Sequence, residues 1–201
     1  MAITASTKAT FKKELIPSGS HVARCYSMVH IGTETFEYLG ETKSANKVRL
    51  TFEIPGEKRV YKEENGEQPM NISKEYTLSL HEKSNLRKDL ETWRGKKFTD
   101  KELESFDVTN LIGVECLLSI IHSSKNGKEY ANINGISRVP KGLECEEQIN
   151  DSFEFNFDSC FDKLDSLPEF LKDKIKATPE YTKATQGNII EVELTEDGLP
   201  F

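Results

Sequence analysis

The strongest constraint on the fold is a change of hydrophobic period along the chain. Residues 47 to 54 alternate polar and apolar side chains, which is the pattern of a half-buried strand. After Ser84 the apolar residues Leu86, Leu90 and Trp93 instead recur at i, i+4 and i+7, which predicts an amphipathic helix that ends at Gly95. The chain therefore combines strands and helix in a defined order.

Four more segments carry the composition and alternation of strands, and one more carries a helix start. The predicted strands cover residues 21–31, 75–80, 114–121 and 130–136. Thr99 and Glu102 form a capping-box pattern for a second, short helix. The pair Asn126-Gly127 predicts a hairpin between the last two strands. The order β-β-β-α-β-β predicts a mainly β chain with helices, built as a five-stranded OB-fold barrel.

Charge divides the chain into two unlike parts. The net charge is −7, yet residues 1–142 hold 22 Lys and Arg against 19 Asp and Glu, and residues 143–201 hold 5 against 15. A mildly basic body joined to an acidic segment is expected where one part meets phosphate and the other meets proteins. We predict a flexible N-terminal arm (1–18), an OB-fold DNA-binding domain (19–142), an acidic extension with a short helix (143–178) and a mobile acidic tail (179–201).

Motifs for catalysis, metals or cofactors are absent from the sequence. It has no phosphate-binding glycine loop, no nucleophile elbow and no zinc-protease motif. Its four histidines and four cysteines are scattered, without the spacing of a zinc site. We expect a non-enzymatic, cytoplasmic protein without cofactor or membrane segment.

Basic residues interleaved with aromatic residues on the predicted strands indicate nucleic-acid binding. Lysine and arginine neutralise phosphates, while rings stack on bases in single strands. The predicted DNA-binding residues are Arg24, Tyr26, Lys47, Arg49, Phe52, Lys74, Tyr76 and Tyr130. Phe52 also alternates with Val48 and Leu50, so its ring is equally a candidate for the core.

The sequence ends in acidic residues followed by Leu-Pro-Phe. This arrangement presents a ring and a carboxylate together, which an apolar pocket rimmed by Arg or Lys could capture. The predicted partner-binding residues are Glu196, Asp197, Leu199, Pro200 and Phe201.

Two stretches resemble known proteins. The segment KEYTLSLHEKSNLRKDLETWRGKKFT, with KVRLTFEIP before it and YANINGIS after it, is similar to a family of phage-encoded single-stranded DNA-binding proteins with an OB-fold core. The ending EDGLPF resembles the acidic Pro-Phe ending of bacterial single-stranded DNA-binding proteins. The resemblance implies a barrel that coats single strands and a tail that docks replication and repair enzymes. This tail has Glu-Asp-Gly-Leu where the bacterial pattern has a run of Asp before Ile, which implies a weaker or differently selective contact.

The sequence thus predicts a protein that protects single-stranded DNA in phage replication and recombination, inside the bacterial host cell, and recruits partner proteins through its tail. One alternative is an OB-fold adaptor that binds a protein and never touches DNA. Another is an enzyme such as a nuclease subunit, which would need several carboxylates at one site. The sequence leaves the formation of a homo-oligomer and the preference for DNA over RNA open.

Overall fold

The computed structural model describes residues 14–186. It is a mainly β structure with a few short helices, as predicted. The strands are β1 (Gly19–Tyr38), β2 (Glu41–Val60), β3 (Glu67–Thr77), β4 (Glu115–Lys125), β5 (Lys128–Ser137) and β6 (Phe153–Phe155). The helices are α1 (Asn85–Arg94), α2 (Asp100–Glu104), α3 (Glu169–Lys176) and α4 (179–186), with 3-10 turns at Glu63–Asn65, Val108–Leu111 and Phe161–Ser166. None of the helices within 14–186 has the length and apolar character needed to span a bilayer.

The strands form one sheet in the order β3-β2-β1-β4-β5. Neighbours on this path are antiparallel, and β6 adds to β1 in parallel. The long β1 belongs to both halves of the sheet, because its start pairs with β4 and its remainder pairs with β2. Within residues 14–186 no ladder joins β3 to β5, so hydrogen bonds between the two end strands do not close the sheet.

The first two strands run further than the sequence predicts. β1 continues through Gly32, where φ is +96° and the register with β2 shifts, and β2 continues past Pro55-Gly56 with a register shift between Ile54 and Lys58. A bulge takes up an extra residue and bends the strand without ending it. Asn126 and Gly127 both have positive φ, as a two-residue hairpin turn requires, which confirms the predicted hairpin.

Helix α1 has the predicted start and end. Ser84 accepts a hydrogen bond from the backbone N–H of Arg87, and Gly95 takes the left-handed conformation. The predicted stripe Leu86, Leu90 and Trp93 is buried in the main core together with residues of β1 to β5. The predicted capping box of Thr99 and Glu102 is present at α2.

The acidic extension packs against the outer face of the sheet, the face opposite the main core. Val29 and Ile31 of β1 form a second buried cluster with residues of the extension, among them Phe155, Leu171 and Ile175. The predicted short helix is α3. Residues 179–186 were expected in the mobile tail, yet they are helical, and Glu180 accepts a 2.9 Å bond from the Thr33 N–H. The structured extension therefore reaches at least residue 186.

The last residues of the predicted arm also belong to the body. Ile16 is buried in the main core, and its carbonyl oxygen lies 2.8 Å from Nε2 of His122. The arm before residue 14 and the tail after residue 186 lie outside the described residues.

Candidate nucleic-acid interface

Two of the predicted DNA-binding rings are inside the main core, and this corrects their assignment. Phe52 is fully buried and its ring centroid lies 5.7 Å from that of Trp93. Tyr76 is 3% exposed, and its hydroxyl donates a 2.7 Å hydrogen bond to Asp89 of α1. Both rings point to the apolar side of their strands. Neither can stack on a base without repacking of the core.

Two predicted cations serve internal contacts. The ammonium group of Lys74 is 2.7 Å from the same Asp89 carboxylate, so the pair joins β3 to α1. The Arg24 guanidinium donates hydrogen bonds to the carbonyl oxygens of Gly113 (2.7 Å) and Glu146 (3.3 Å). These side chains stabilise the fold, and we leave them out of the candidate interface.

The other predicted residues are accessible to solvent. Tyr26, Lys47 and Arg49 lie half-buried on the outer face of β1 and β2. Tyr130 is 45% exposed on β5, opposite Ser123 of β4. Tyr130 thus lies on the β4–β5 hairpin, apart from the other three.

A row of cations on β2 lies beside exposed aromatic rings. Each of four rings that are 43% to 55% exposed has a Lys or Arg of β2 within 6 Å of its centroid. The pairs are Lys43 with Tyr38 (4.8 Å), Lys47 with Phe36 (6.0 Å), Arg49 with Phe170 (5.3 Å) and Arg59 with Tyr61 (5.7 Å). We call these eight residues the cation–ring row. It offers the two features that hold single-stranded nucleic acid, positive charge and open π-faces.

The row has three parts, a hairpin patch, a central patch and the pair of Arg59 with Tyr61 at the end of β2. Phe36 is directly opposite Lys43 in the β1–β2 hairpin, and with Tyr38 and Lys47 these form a hairpin patch. Arg49 and Phe170 form a central patch together with the half-buried Tyr26 of the neighbouring strand. Burial raises the pKa of the Tyr26 hydroxyl, the charges of Glu53 and Tyr61 raise this pKa further, and Arg49 opposes the rise.

Two cations of the row have no carboxylate partner in the described part of the chain. Within residues 14–186, Lys47 and Arg59 make no ion pair; the Lys47 ammonium instead donates to the Thr77 hydroxyl (3.1 Å) and Arg59 to the carbonyl oxygen of Glu14 (3.4 Å). Their positive charge is therefore open to phosphate.

The other two cations of the row are paired. Lys43 lies 3.5 Å from the exposed Glu41, a weak solvent-screened pair. Arg49 lies 2.9 Å from Glu75, which also binds Lys174 of α3 at 2.8 Å. Burial would raise the pKa of Glu75, but the hydrogen bonds and charges of Lys174 and Arg49 outweigh burial and lower it. Glu75 thus stays ionised and competes with phosphate for Arg49.

Sequence reasoning missed six residues of the row: Phe36, Tyr38, Lys43, Arg59, Tyr61 and Phe170. Phe36 and Tyr38 lie on the part of β1 beyond Gly32, Lys43 on the part of β2 before residue 47, and Arg59 on the part of β2 beyond Pro55-Gly56, while Tyr61 directly follows β2. The signal that could have found them is the spacing of Phe36 with Tyr38 and of Arg59 with Tyr61, because residues two apart share a face of a strand. Phe170 was noticed only as part of the short helix.

Metal or catalytic geometry is not apparent in the described chain. Between residues 14 and 186, no three His, Cys, Asp or Glu side chains come together as a possible metal site. Cys25 and Cys116 are buried, and burial raises the pKa of both thiols, which makes them poor nucleophiles.

A scan against models of protein families found no match, and a search of curated proteins likewise found none.

Proposed function

We propose that this protein binds single-stranded DNA on the outer face of β1 and β2 and acts by covering the strand, without catalysis. The observation that carries the proposal is the cation–ring row. Phosphates would bind Lys47 and Arg59 directly. They would bind Lys43 and Arg49 by displacing the carboxylates of Glu41 and Glu75. Bases would stack on the exposed rings, which every base can do because each has a π-face, so binding would be sequence-tolerant.

The proposed fold is an OB barrel, and two features of the structure support it. β1 is shared between the two halves of the sheet, as a strand must be when one sheet curves around a single core. Helix α1 lies between β3 and β4 in sequence and bonds to both: Asp89 accepts from Tyr76 of β3, and the Trp93 indole donates to the Glu115 carbonyl of β4 (2.7 Å). OB folds bind oligonucleotides on the face of strands 2 and 3 and on the loops that follow strands 1 and 4.

The proposed interface overlaps those places at β2 and at the two connections. The central patch is on the face of β1 and β2, the hairpin patch is at the β1–β2 connection, and Tyr130 lies near the β4–β5 connection between Lys125 and Lys128. An OB fold covers about 4–16 nucleotides. We place the protein in phage DNA replication or recombination in the bacterial cytoplasm, with the acidic tail as the contact for partner proteins.

Direct binding to labelled oligo-dT tests the proposal. Fluorescence anisotropy of a 5′-labelled strand is the suitable signal, since Trp93 is the only tryptophan and is 4% exposed, out of reach of bound bases. We expect saturable binding at low salt that weakens as salt is added. A folded protein that fails to bind at low salt would refute the proposal and favour the protein-interaction adaptor. Cleavage of the strand with Mg²⁺ or Mn²⁺ would instead favour an enzyme.

Charge neutralisation tests the cations. Lys47→Gln with Arg59→Gln should weaken binding and lower the slope of log K against log salt by about 1.4, that is about 0.7 per lost phosphate contact. The matched control, Lys83→Gln with Lys88→Gln, removes the same charge from exposed positions at α1. Equal slopes for the two variants would exclude Lys47 and Arg59 as phosphate contacts.

Ring replacement tests stacking. Tyr61→Leu should lose about 1–3 kcal/mol of binding free energy, or about 5–150-fold in Kd, whereas Tyr61→Phe keeps the π-face and should bind nearly as wild type. Equal affinity of the Leu and Phe variants would show that Tyr61 does not stack on bases.

Deletion of residues 187–201 should raise DNA affinity, because it removes a polyanion that competes with DNA.

A further inference from the structure

The acidic extension crosses the outer face of the sheet at two places. At the first, the buried carboxylate of Glu53 on β2 accepts hydrogen bonds from the backbone N–H groups of Ile149 and Asn150, both at 2.9 Å. At the second, Lys174 of α3 binds Glu75, and Phe170 of the same helix lies over Arg49. We call these the Glu53 crossing and the α3 crossing.

A short strip of the sheet lies between the crossings. Arg49 and Glu53 are four residues apart on β2, so the strip is about 13 Å long along the strand. Its floor includes the half-buried Thr51 and Ser73, whose hydroxyls are hydrogen-bonded at 3.0 Å. Its sides carry exposed apolar groups, because Ile149 is 48% and Phe170 51% exposed. A single strand fits between such sides. A duplex does not, since the major groove that separates its two backbones is already about 12 Å wide, nearly the whole strip, before the backbones themselves are counted.

Exposed carboxylates stand at both crossings. Glu147 and Asp151 flank the Ile149–Asn150 contact, and Asp173 follows Phe170 by three residues, which places it on the same side of α3. Within residues 14–186 these three carboxylates make no ion pair or side-chain hydrogen bond. The described extension, residues 143–186, carries 11 acidic side chains against 5 lysines.

We propose that the Glu53 and α3 crossings are walls of the DNA-binding groove and that they select single-stranded over double-stranded DNA. This inference rests on the proposed function and adds the source of its specificity. A single strand in the strip contacts Tyr26, Arg49 and the apolar side chains of the walls, Ile149 and Phe170. A duplex held by the same cations would bring its second phosphate backbone against Glu147, Asp151 and Asp173. Unfavourable contact with the wrong ligand is an established route to specificity.

The mechanism predicts that the negative charge of the wall carboxylates weakens the binding of duplex DNA more than the binding of single-stranded DNA. A single strand can turn its phosphates toward β2 and its bases toward the walls. The duplex has phosphates on both sides and cannot avoid the walls, so like-charge repulsion falls on it.

The test compares two triple variants that remove the same charge. The wall variant is Glu147→Gln, Asp151→Asn and Asp173→Asn; the control is Glu82→Gln, Asp100→Asn and Glu104→Gln, all exposed and outside both the extension and the proposed interface. Anisotropy titrations of each full-length protein use labelled oligo-dT and a labelled blunt duplex of equal length at low salt. Thermal unfolding checks that each variant is folded.

We expect the wall variant to bind duplex at least about five-fold tighter than wild type, with single-strand affinity rising no more than in the control. An equal gain in duplex affinity for both triple variants would overturn the inference while leaving the proposed function intact. Failure of the wild type to bind single strands would instead refute the proposed function, and the inference with it.

Discussion

Replacing Glu53 with glutamine should loosen the Glu53 crossing and destabilise the protein. The Glu53 side chain is fully buried and accepts three bonds: two from the backbone N–H groups of Ile149 and Asn150 and one, at 2.6 Å, from the Asn150 side-chain amide. Glutamine has one acceptor oxygen, and its NH₂ group would face an N–H donor. One buried donor then loses its partner, which costs about 1–3 kcal/mol, and the remaining bonds lose charge assistance.

The neutral amide also avoids the desolvation cost of a buried carboxylate, which offsets part of the loss. We therefore expect the free energy of unfolding to fall by about 2 kcal/mol. Urea unfolding followed by Trp93 fluorescence measures this change. Glu67→Gln is the control, because Glu67 is exposed and makes no ion pair within residues 14–186; its effect should stay within about 0.5 kcal/mol. A change for Glu53→Gln no larger than that of the control would refute the reasoning.

Three further predictions concern stability. Tyr76→Phe should lower the free energy of unfolding, measured in urea, by about 1 kcal/mol, because the hydrogen bond to Asp89 is lost. Its oligo-dT affinity should be unchanged, and weaker binding would show that Tyr76 contacts DNA after all. Gly32→Ala should lower Tm, because φ is +96° and the new Cβ would lie 2.8 Å from the Thr178 hydroxyl oxygen; an unchanged Tm would contradict this close approach. Lys174→Met should reduce stability most at neutral pH: the pKa of Glu75 is lowered from its ordinary 4.5, so its stabilising contribution is present above that pH and is lost as the pH falls through the lowered value. Unfolding curves from pH 3 to 7 that show a constant difference would exclude the ion pair as the cause.

The parts of the fold that could be predicted from the sequence depend on neighbours along the chain. The alternation of residues 47–54, the stripe on α1, the capping box of Thr99 and the Asn126-Gly127 turn are set within a few residues. The missed features depend on distant contacts. β1 passes Gly32 because β2 continues beside it, and β6 exists because residues 153–155 reach β1 across more than a hundred residues.

The candidate site could be predicted only in part, because a strand has two faces and composition does not say which one is the core. Lys47 and Arg49 were correctly separated from Val48 and Leu50. Tyr76 was misassigned, although it directly faces the core residue Val48 across the β2–β3 ladder. The rings of Phe36 and Tyr38 were missed because β1 was expected to be shorter.

The parallel pairing of β6 with β1 has a consequence for biosynthesis. Ser27 pairs with Phe153, so the ribosome must add 126 further residues before the edge of β1 receives its neighbour. At about 5–20 residues per second, that edge waits roughly 6–25 s, and an unpaired edge is a template for association with other nascent chains. Slow translation of the acidic C-terminal third should therefore lower the yield of native protein more than slow translation of the first strands.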